Sequence, residues 1–391
     1  MDPTVFVVIP VFNRLKFTLS CLGCLRAQTY PALRIIVVDG GSTDGTVATL
    51  RCEHPEVEVL EGERELWWAG AMHLGIERVL AESRNDADML LMMNNDTSIE
   101  PSYVETLVRV SRETGAAVGG LIVDSHDPSR VLDAGEFIDW QTYSFPVKTS
   151  VKPGETLCDR VDVLPGRGSL VPLRMIRVSG NLDCKAFPHY IADYEFFARL
   201  RRHGFPLVVT YEARIAAHIE ETGIMPTRRS LTLRQAWDIL FSRKSMQNVR
   251  DHLRFIERCA PPEAVASLKF RFLWVSLEMV LFDTKLKYGV SWLKEVWFVL
   301  RSIYYVSDGD CERCRLNAAV LTKEGILHPW LREGWYMFAV RRQEWWSSRP
   351  ELRRLYLRAW NPLTKRARWR AARQHLGSTA EPRSKVGPVT Q

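Results

Sequence analysis

A chain of 391 residues, 46% of them hydrophobic and 25% charged, can bury one large core or two ordinary ones, which excludes a disordered or fibrous protein. No stretch reaches the roughly 18 to 20 uncharged apolar residues of a spanning helix. Met1-Asp2-Pro3 lacks the basic and apolar regions of a secretory signal, so a cytoplasmic location is expected, with the eight cysteines as reduced thiols.

The first strand is expected over Thr4–Pro10 (TVFVVIP), leading into Val11-Phe12-Asn13-Arg14. A helix follows over Phe17–Ala27, and its Cys21–Cys24 spacing lies inside the apolar LSCLGCL, which suits core packing better than zinc. A second strand, Arg34–Val38, ends in Asp39-Gly40-Gly41-Ser42-Thr43-Asp44-Gly45. Thr46–Cys52 fits a helix, Val57–Leu60 a short strand and Ala69–Arg84 another helix. The run Asp88–Met93 then ends in Asn94-Asn95-Asp96-Thr97, and Pro101–Thr114 opens with proline at a favoured helix-start position. Strands alternating with helices predict a doubly wound, mostly parallel sheet.

Residues 126–190 carry more Gly, Pro and strand-like pieces, Val131–Ile138, Arg160–Leu164 and Ser169–Pro172, as in the mixed part of a sheet. Tyr190–His203 returns to helical periodicity, Gly204 stops it, and Pro206–Tyr211 reads as a strand. From about Ser230 the pattern is helical: Leu231–Phe241, Val249–Cys259, Ala264–Phe282 and Ser291–Tyr305. The expected division is therefore an α/β domain over 1–228, a helical region over 229–376 for acceptor, membrane or oligomer contacts, and a disordered tail over 377–391. Cys311–Cys314, in the polar DGDCERC, is the better metal-pair spacing, with no second pair near it.

Each apolar run of the first half delivers oxygen-bearing side chains at its C-terminal end, where open parallel sheets hold ligands. The order of these motifs over residues 4–223 resembles the nucleotide-sugar-binding half of family 2 glycosyltransferases of the GT-A fold. The resemblance implies an α/β, GT-A type sheet with a helical C-terminal extension. It also implies inverting transfer of a hexose or deoxyhexose to an acceptor hydroxyl. In such proteins the acid after the second strand contacts a pyrimidine. Asp39 takes that place, with Pro10, Asn13, Ser42 and Asp44 as neighbours, and a UDP- or dTDP-sugar is the implied donor. An Asx-turn capping the helix at Thr46 is the other reading of Asp39 and Asp44.

A departing nucleoside diphosphate concentrates negative charge that a divalent cation (Mg2+ or Mn2+) neutralises well, and such hard cations take oxygen ligands. Where the family usually has Asp-x-Asp, this chain has Asn94-Asn95-Asp96, similar to rhamnosyltransferase-like members. Asp96 is the implied metal ligand, Asn94 and Asn95 nucleotide-side contacts, and the whole triplet is also good turn chemistry. The family's Glu-Asp pair at a helix start is Ala192-Asp193 here. Asp193 is then the implied general base, with Glu195 able to orient it or to pair with Arg199 one turn on. His218 follows the strand after that helix, where the family often has a histidine that reaches the cation. Gly70 matches a glycine-rich turn near the nucleotide, and Arg167-Gly168 lie in a loop suited to the diphosphate or donor sugar. Gly180-Asn181-Leu182-Asp183 resembles the acceptor-side loop, and Arg228-Arg229 could close over the diphosphate or be a solvated face.

Rival enzymes are excluded by the first loop: VFNR has none of the glycines of a nucleotidyltransferase or a GxGxxG dehydrogenase. The non-enzyme alternative is an inactive protein of the same fold, or a nucleic-acid binder using the basic end. From Arg341 to Gln391, thirteen Lys or Arg face three Glu, a balance of +10 that leaves the rest of the chain near −3. Trp345, Trp346, Trp360 and Trp369 share that region, which fits an anionic membrane surface and, with it, a saccharide or lipid-linked saccharide acceptor. A solvated helix explains Arg353–Arg373 equally well, and oligomerisation is left open.

Overall fold

The computed structural model describes residues 2–63, 66–218 and 231–280. The first elements follow the sequence closely: β1 (Val5–Val11), α1 (Leu15–Arg26), β2 (Leu33–Asp39), α2 (Thr46–Glu53), β3 (Val57–Glu61), α3 (Trp67–Glu82) and β4 (Met89–Met92). β1 lies parallel between β2 and β4, so that Val8 opposes Ile36 on one side and Met92 on the other. These strands are near-continuous apolar runs because helices cover both faces. Phe6, Val8, Ile36, Val38, Leu90 and Met92 face one core with Met72, Ile76 and Val79 of α3. Val5, Val7, Ile9, Val37 and Leu91 face the other with Cys21, Leu22 and Leu25 of α1. Cys21 is thus a core residue, and burial pushes its thiol up to about 12.

The rest of the sheet is mixed. Its strands are β5 (Thr97–Ile99), β6 (Ala117–Asp124), β7 (Val131–Asp133), β8 (Leu157–Cys158), β9 (Ser169–Pro172) and β10 (Leu207–Ala217). The ten-stranded order is β3-β2-β1-β4-β9-β6-β10-β5, with β7 on β6 and β8 on β10. β9 runs antiparallel to both β4 and β6, while β10 is parallel to β6 and shifts register between Thr210 and Arg214. The parallel part is therefore the block β3-β2-β1-β4 together with the β6–β10 pair.

Several expectations fail here. Val131–Ile138 is a strand only as far as Asp133, and Arg160–Leu164 is irregular apart from a bridge between Glu136 and Val163. The fully buried β6 was not anticipated, because Gly119-Gly120 weakens a strand signal. The structure gives the reason for Gly120: a Cβ there would stand 2.7 Å from the Tyr103 ring and 2.9 Å from the Ala213 carbonyl.

The described helices are completed by α4 (Tyr103–Thr114), α5 (Leu173–Ser179), α6 (Ala192–Arg202), α7 (Leu233–Phe241), α8 (Val249–Cys259) and α9 (Val265–Glu278). Phe255 of α8 is fully buried in the same cluster as Phe196 and Phe197 of α6. The chain divides into compact units Met1–Thr284 and Lys285–Gln391. The expected division near residue 228 therefore does not fall at a break in packing, because α8 shares the core of the sheet domain. Among the described residues no helix is long and apolar enough to cross a membrane. Ser291–Tyr305, Cys311–Cys314, Arg228-Arg229 and the basic tryptophan-bearing end lie outside the described residues.

Candidate active site

The candidate site is built at the C-terminal edge of β1, β2 and β4. Asp39 ends β2 at 1% exposure; its Oδ1 accepts hydrogen bonds from the Gly41 and Ser42 amides at 2.9 and 2.8 Å. Its Oδ2 is buried and has no partner. A carboxylate oxygen shut away without a donor is costly, and a base or ribose donor would satisfy it. Asn13 and Ser42 brace this loop. The Asn13 amide donates to Ser42 Oγ at 2.8 Å, and Asn13 Oδ1 accepts from the Thr43 amide at 2.7 Å. Pro10 is part of β1, opposite Val38.

Asp44 is a cap. Its Oδ2 accepts from the Leu15 amide at 2.9 Å, at the start of α1, and its Oδ1 from Thr46 Oγ1 at 2.6 Å, at the start of α2. Burial raises this carboxyl, and the bonds from Thr46 and Leu15 outweigh it, so the group sits below its ordinary range. Gly70 is likewise structural. Its amide donates to the Leu66 carbonyl at 3.0 Å inside the first turn of α3, where a glycine-rich turn was expected.

The Asn-Asn-Asp triplet divides three ways. Asn94 Oδ1 accepts from Trp68 Nε1 at 2.8 Å, so Asn94 is oriented by α3. Asn95 turns inward and donates to Thr18 Oγ1 of α1 at 3.0 Å, in the core. Asp96 Oδ2 accepts from Arg14 Nη1 at 3.0 Å, while its Oδ1 is buried without a partner. Arg14 had no assigned role in the sequence. A cation at a helix N-terminus opposes the helix dipole unless an acid answers it, and that was the available signal. His218 approaches Asp96 through its backbone amide, 3.5 Å from the Asp96 carbonyl. Its ring is held by Ser125 Oγ at 3.0 Å from Nδ1.

Among the described residues no three His, Cys, Asp or Glu side chains converge to hold a metal. The residues fit a divalent cation of the kind that takes one carboxylate and completes its shell with phosphate and water. Asp96 Oδ1 is the one oxygen of this triplet's carboxylate left without a hydrogen bond.

Asp193 stands in the first turn of α6. Its Oδ2 accepts from the Gly166 amide at 2.8 Å and its Oδ1 from the Tyr194 amide at 3.0 Å. Burial raises its carboxyl above the ordinary range, against the pull of those amides and of Arg167. A raised carboxyl near a nucleophile is what a general base needs. Gly166 is wedged between Asp193 and Trp68: a Cβ there would meet the Trp68 ring at 2.3 Å and Asp193 Cβ at 3.4 Å. Gly168 has φ of +77° and donates to the Met92 carbonyl at 2.7 Å, pinning the 166–168 loop onto β4.

Glu195 does not share the site. It is 1% exposed and pairs with Arg199 at 3.0 Å, while Arg199 also donates to the carbonyls of Ser179, Gly180 and Asn181. The pair holds the 179–182 loop to α6. The sequence reading also missed Asp133 and Glu136, both buried beside Tyr194 and Asp193. Burial and the neighbouring Asp133 push the Glu136 carboxyl well above its ordinary range. The signal was Val-Leu-Asp-Ala-Gly-Glu, two acids inside an otherwise apolar stretch.

Residues 6–162 match the model of the family described as Glycosyl transferase family 2. That stretch, about two-fifths of the chain, lies on the mixed α/β sheet and is similar to a glycosyltransferase domain. The chain is 28% identical over 121 residues to glycosyltransferase GlyG of Streptococcus pneumoniae serotype 4, covering 30% of this chain and 38% of GlyG. It is 31% identical over 124 residues to glycosyltransferase AglE of Haloferax volcanii, covering 30% of this chain and 39% of AglE. The match thus spans about two-fifths of the length of these curated relatives. Among solved structures, a mannosyltransferase of Pyrobaculum calidifontis in complex with GDP-Man and Mn2+ is 13% identical, with 88% of each chain covered and a TM-score of 0.49.

Proposed function

We propose that this protein is an inverting glycosyltransferase, transferring a hexose or deoxyhexose from a UDP- or dTDP-sugar to a saccharide or lipid-linked saccharide in polysaccharide or glycolipid assembly. The observation that carries this reading is one run of contacts along the edge of the sheet. Asp39 holds the loop that Asn13 braces, and Arg14, the residue after Asn13, pairs with Asp96. Asn94 bonds Trp68, Trp68 packs on Gly166, and Gly166 bonds Asp193. An acid for the nucleoside, an acid for the leaving-group side and a raised acid for the acceptor therefore share one surface.

In this mechanism Asp39 Oδ2 accepts from the pyrimidine or ribose, and Asn94 is aimed by Trp68 at the same nucleotide. A divalent cation held by Asp96, with His218 beside it, would supply charge neutralisation for the departing diphosphate. Arg167 makes no hydrogen bond or ion pair among the described residues and adds positive charge next to Asp193. Asp193 accepts the acceptor hydroxyl's proton as its oxygen bonds to the anomeric carbon. The bond from that carbon to the phosphate oxygen breaks with its electron pair on the nucleoside diphosphate. Displacement by one base on one face inverts the anomeric centre. The triplet Asn94-Asn95-Asp96 supports a rhamnosyltransferase-like subtype, and the basic C-terminal end supports attachment to the inner face of the cell membrane.

The test is a panel of UDP-, dTDP- and GDP-sugars, each with Mg2+ or Mn2+, read as released nucleoside diphosphate. Turnover with a pyrimidine donor is expected. Preference for the GDP-sugars overturns the donor assignment. No turnover with any donor, together with salt-sensitive nucleic-acid binding, favours the inactive binding protein.

A further inference from the structure

Beside the proposed base the structure holds an aromatic cluster that the mechanism does not use. Trp67 opens α3 and His189 precedes α6, with ring centroids 5.7 Å apart. His189 lies 4.3 Å from the ring of Tyr190, and the Lys244 ammonium stands 5.9 Å from the centroid of the Trp67 ring. Trp67 Nε1 and His189 Nδ1 are both buried, and neither has a hydrogen-bond partner. Trp67 also has φ of +52°, a left-handed backbone that a bulky side chain rarely adopts. Buried orphan polar groups and local backbone strain both gather where a ligand completes the structure. Asp39 and Asp96, on the donor side, carry the same mark of a buried oxygen without a partner.

The cluster is fixed to the catalytic groups on both sides. Trp68, the next residue, bonds Asn94 and packs on Gly166, and the Ala69 amide donates to the Pro188 carbonyl at 3.2 Å. His189 is four residues before Asp193. Burial, with the charge of Lys244 adding to it, pushes His189 down to about 4, so the ring is neutral at physiological pH. The chemistry on offer is then an indole N–H donor, a neutral imidazole nitrogen and three half-buried rings. A neutral pyranose matches it: its C–H face lies against aromatic rings and its hydroxyls both donate and accept.

We propose that Trp67 and His189 form the subsite for the acceptor sugar, a neutral pyranose that stacks on these rings and partners Trp67 Nε1 and His189 Nδ1. The two nitrogens are closed to solvent in this structure, so pairing with them requires both rings to turn as the sugar stacks on them. The inference rests on the glycosyltransferase reading, because it takes Asp193 as the group that this sugar's hydroxyl faces.

The experiment uses the full chain, saturation-transfer NMR with methyl glycosides of neutral hexoses and deoxyhexoses, and calorimetry with UDP and dTDP. Wild type should bind nucleotide and at least one glycoside. Trp67→Ala and His189→Ala should each weaken the glycoside by about tenfold or more, the scale of truncating a buried aromatic contact. Nucleotide affinity, unchanged within about twofold, shows that these variants are folded. Trp67→Phe keeps the ring without its N–H and should fall between wild type and alanine. Glycoside binding unaffected in all three variants, or absent in a wild type that binds nucleotide, overturns the subsite alone. Absence of nucleotide binding by wild type overturns the glycosyltransferase reading with it.

Discussion

The two halves of the sheet do different work by different means. In the parallel block β3-β2-β1-β4, the segments that follow β1, β2 and β4 bond to one another: Asn13 to Ser42, Asp44 to Leu15, Arg14 to Asp96. Two buried oxygens there, Asp39 Oδ2 and Asp96 Oδ1, have no hydrogen-bond partner. In the mixed half, built on β9, β6 and β10, the chemistry comes from a helix start and an irregular loop. Asp193 and the 166–168 loop sit over buried acids at Asp133 and Glu136. One half is a preformed grip. The other tunes a carboxyl by burying it. Under the proposed mechanism, the difference places ligand recognition and proton transfer in separate parts of one sheet, joined at Trp68.

That comparison can be broken at its strongest point with Asp193→Asn. Turnover should fall roughly 10²- to 10⁴-fold while nucleotide affinity is retained. In wild type the acid limb of the rate should lie above the pH at which an ordinary aspartate titrates. The base must be ionised, and burial raises its carboxyl, so activity is lost as pH falls through that raised value. Near-normal transfer by the variant would remove Asp193 from the mechanism. The grip is tested by Asp39→Asn, which keeps an oxygen for the Gly41 and Ser42 amides but replaces the unpartnered one with an N–H₂. Nucleotide should bind about 10- to 100-fold more weakly in calorimetry, the scale of a lost charge-assisted hydrogen bond, with the rate at saturating donor little changed. A lower rate at unchanged affinity would merge the two roles. The smallest effect is on the frame. Gly120→Ala should lower stability by about 1–3 kcal/mol in urea unfolding, because its new methyl meets Tyr103 and the Ala213 carbonyl.

The parallel half was largely legible because continuous apolar runs ending in Gly, Asn and Asp have few other foldings. Val249–Cys259 was read to the residue, and Thr46 was placed as an element start. The mixed half was not, for reasons particular to its residues. Gly119-Gly120 hides β6, and β10 continues past Tyr211 to Ala217 only by shifting its register. Within the site, residue type gave the acids but not their direction. Asp44 and Asp39 occur in one heptapeptide, yet Asp44 caps two helices and Asp39 keeps an oxygen unbonded. Asn95 and Glu195 turn into the core because a neighbour offers them a partner, Thr18 in one case and Arg199 in the other. Such pairings join residues far apart in the chain or set by one helical turn, and composition does not choose between them.

The position of β10 also bears on how the chain folds. β1 and β2 are neighbours in both sequence and sheet, and β3 follows on, so this block can form from local contacts while synthesis continues. Among the described residues β5, which follows the Asn-Asn-Asp turn, pairs only with β10, matching Ile99 to Ile215 across more than a hundred residues. Closing so long a loop is slow compared with local pairing. The strand next to Asp96 is therefore tethered only after β10 has been made, and the Asp96 rim of the candidate site is completed after α6, which carries Asp193, has emerged.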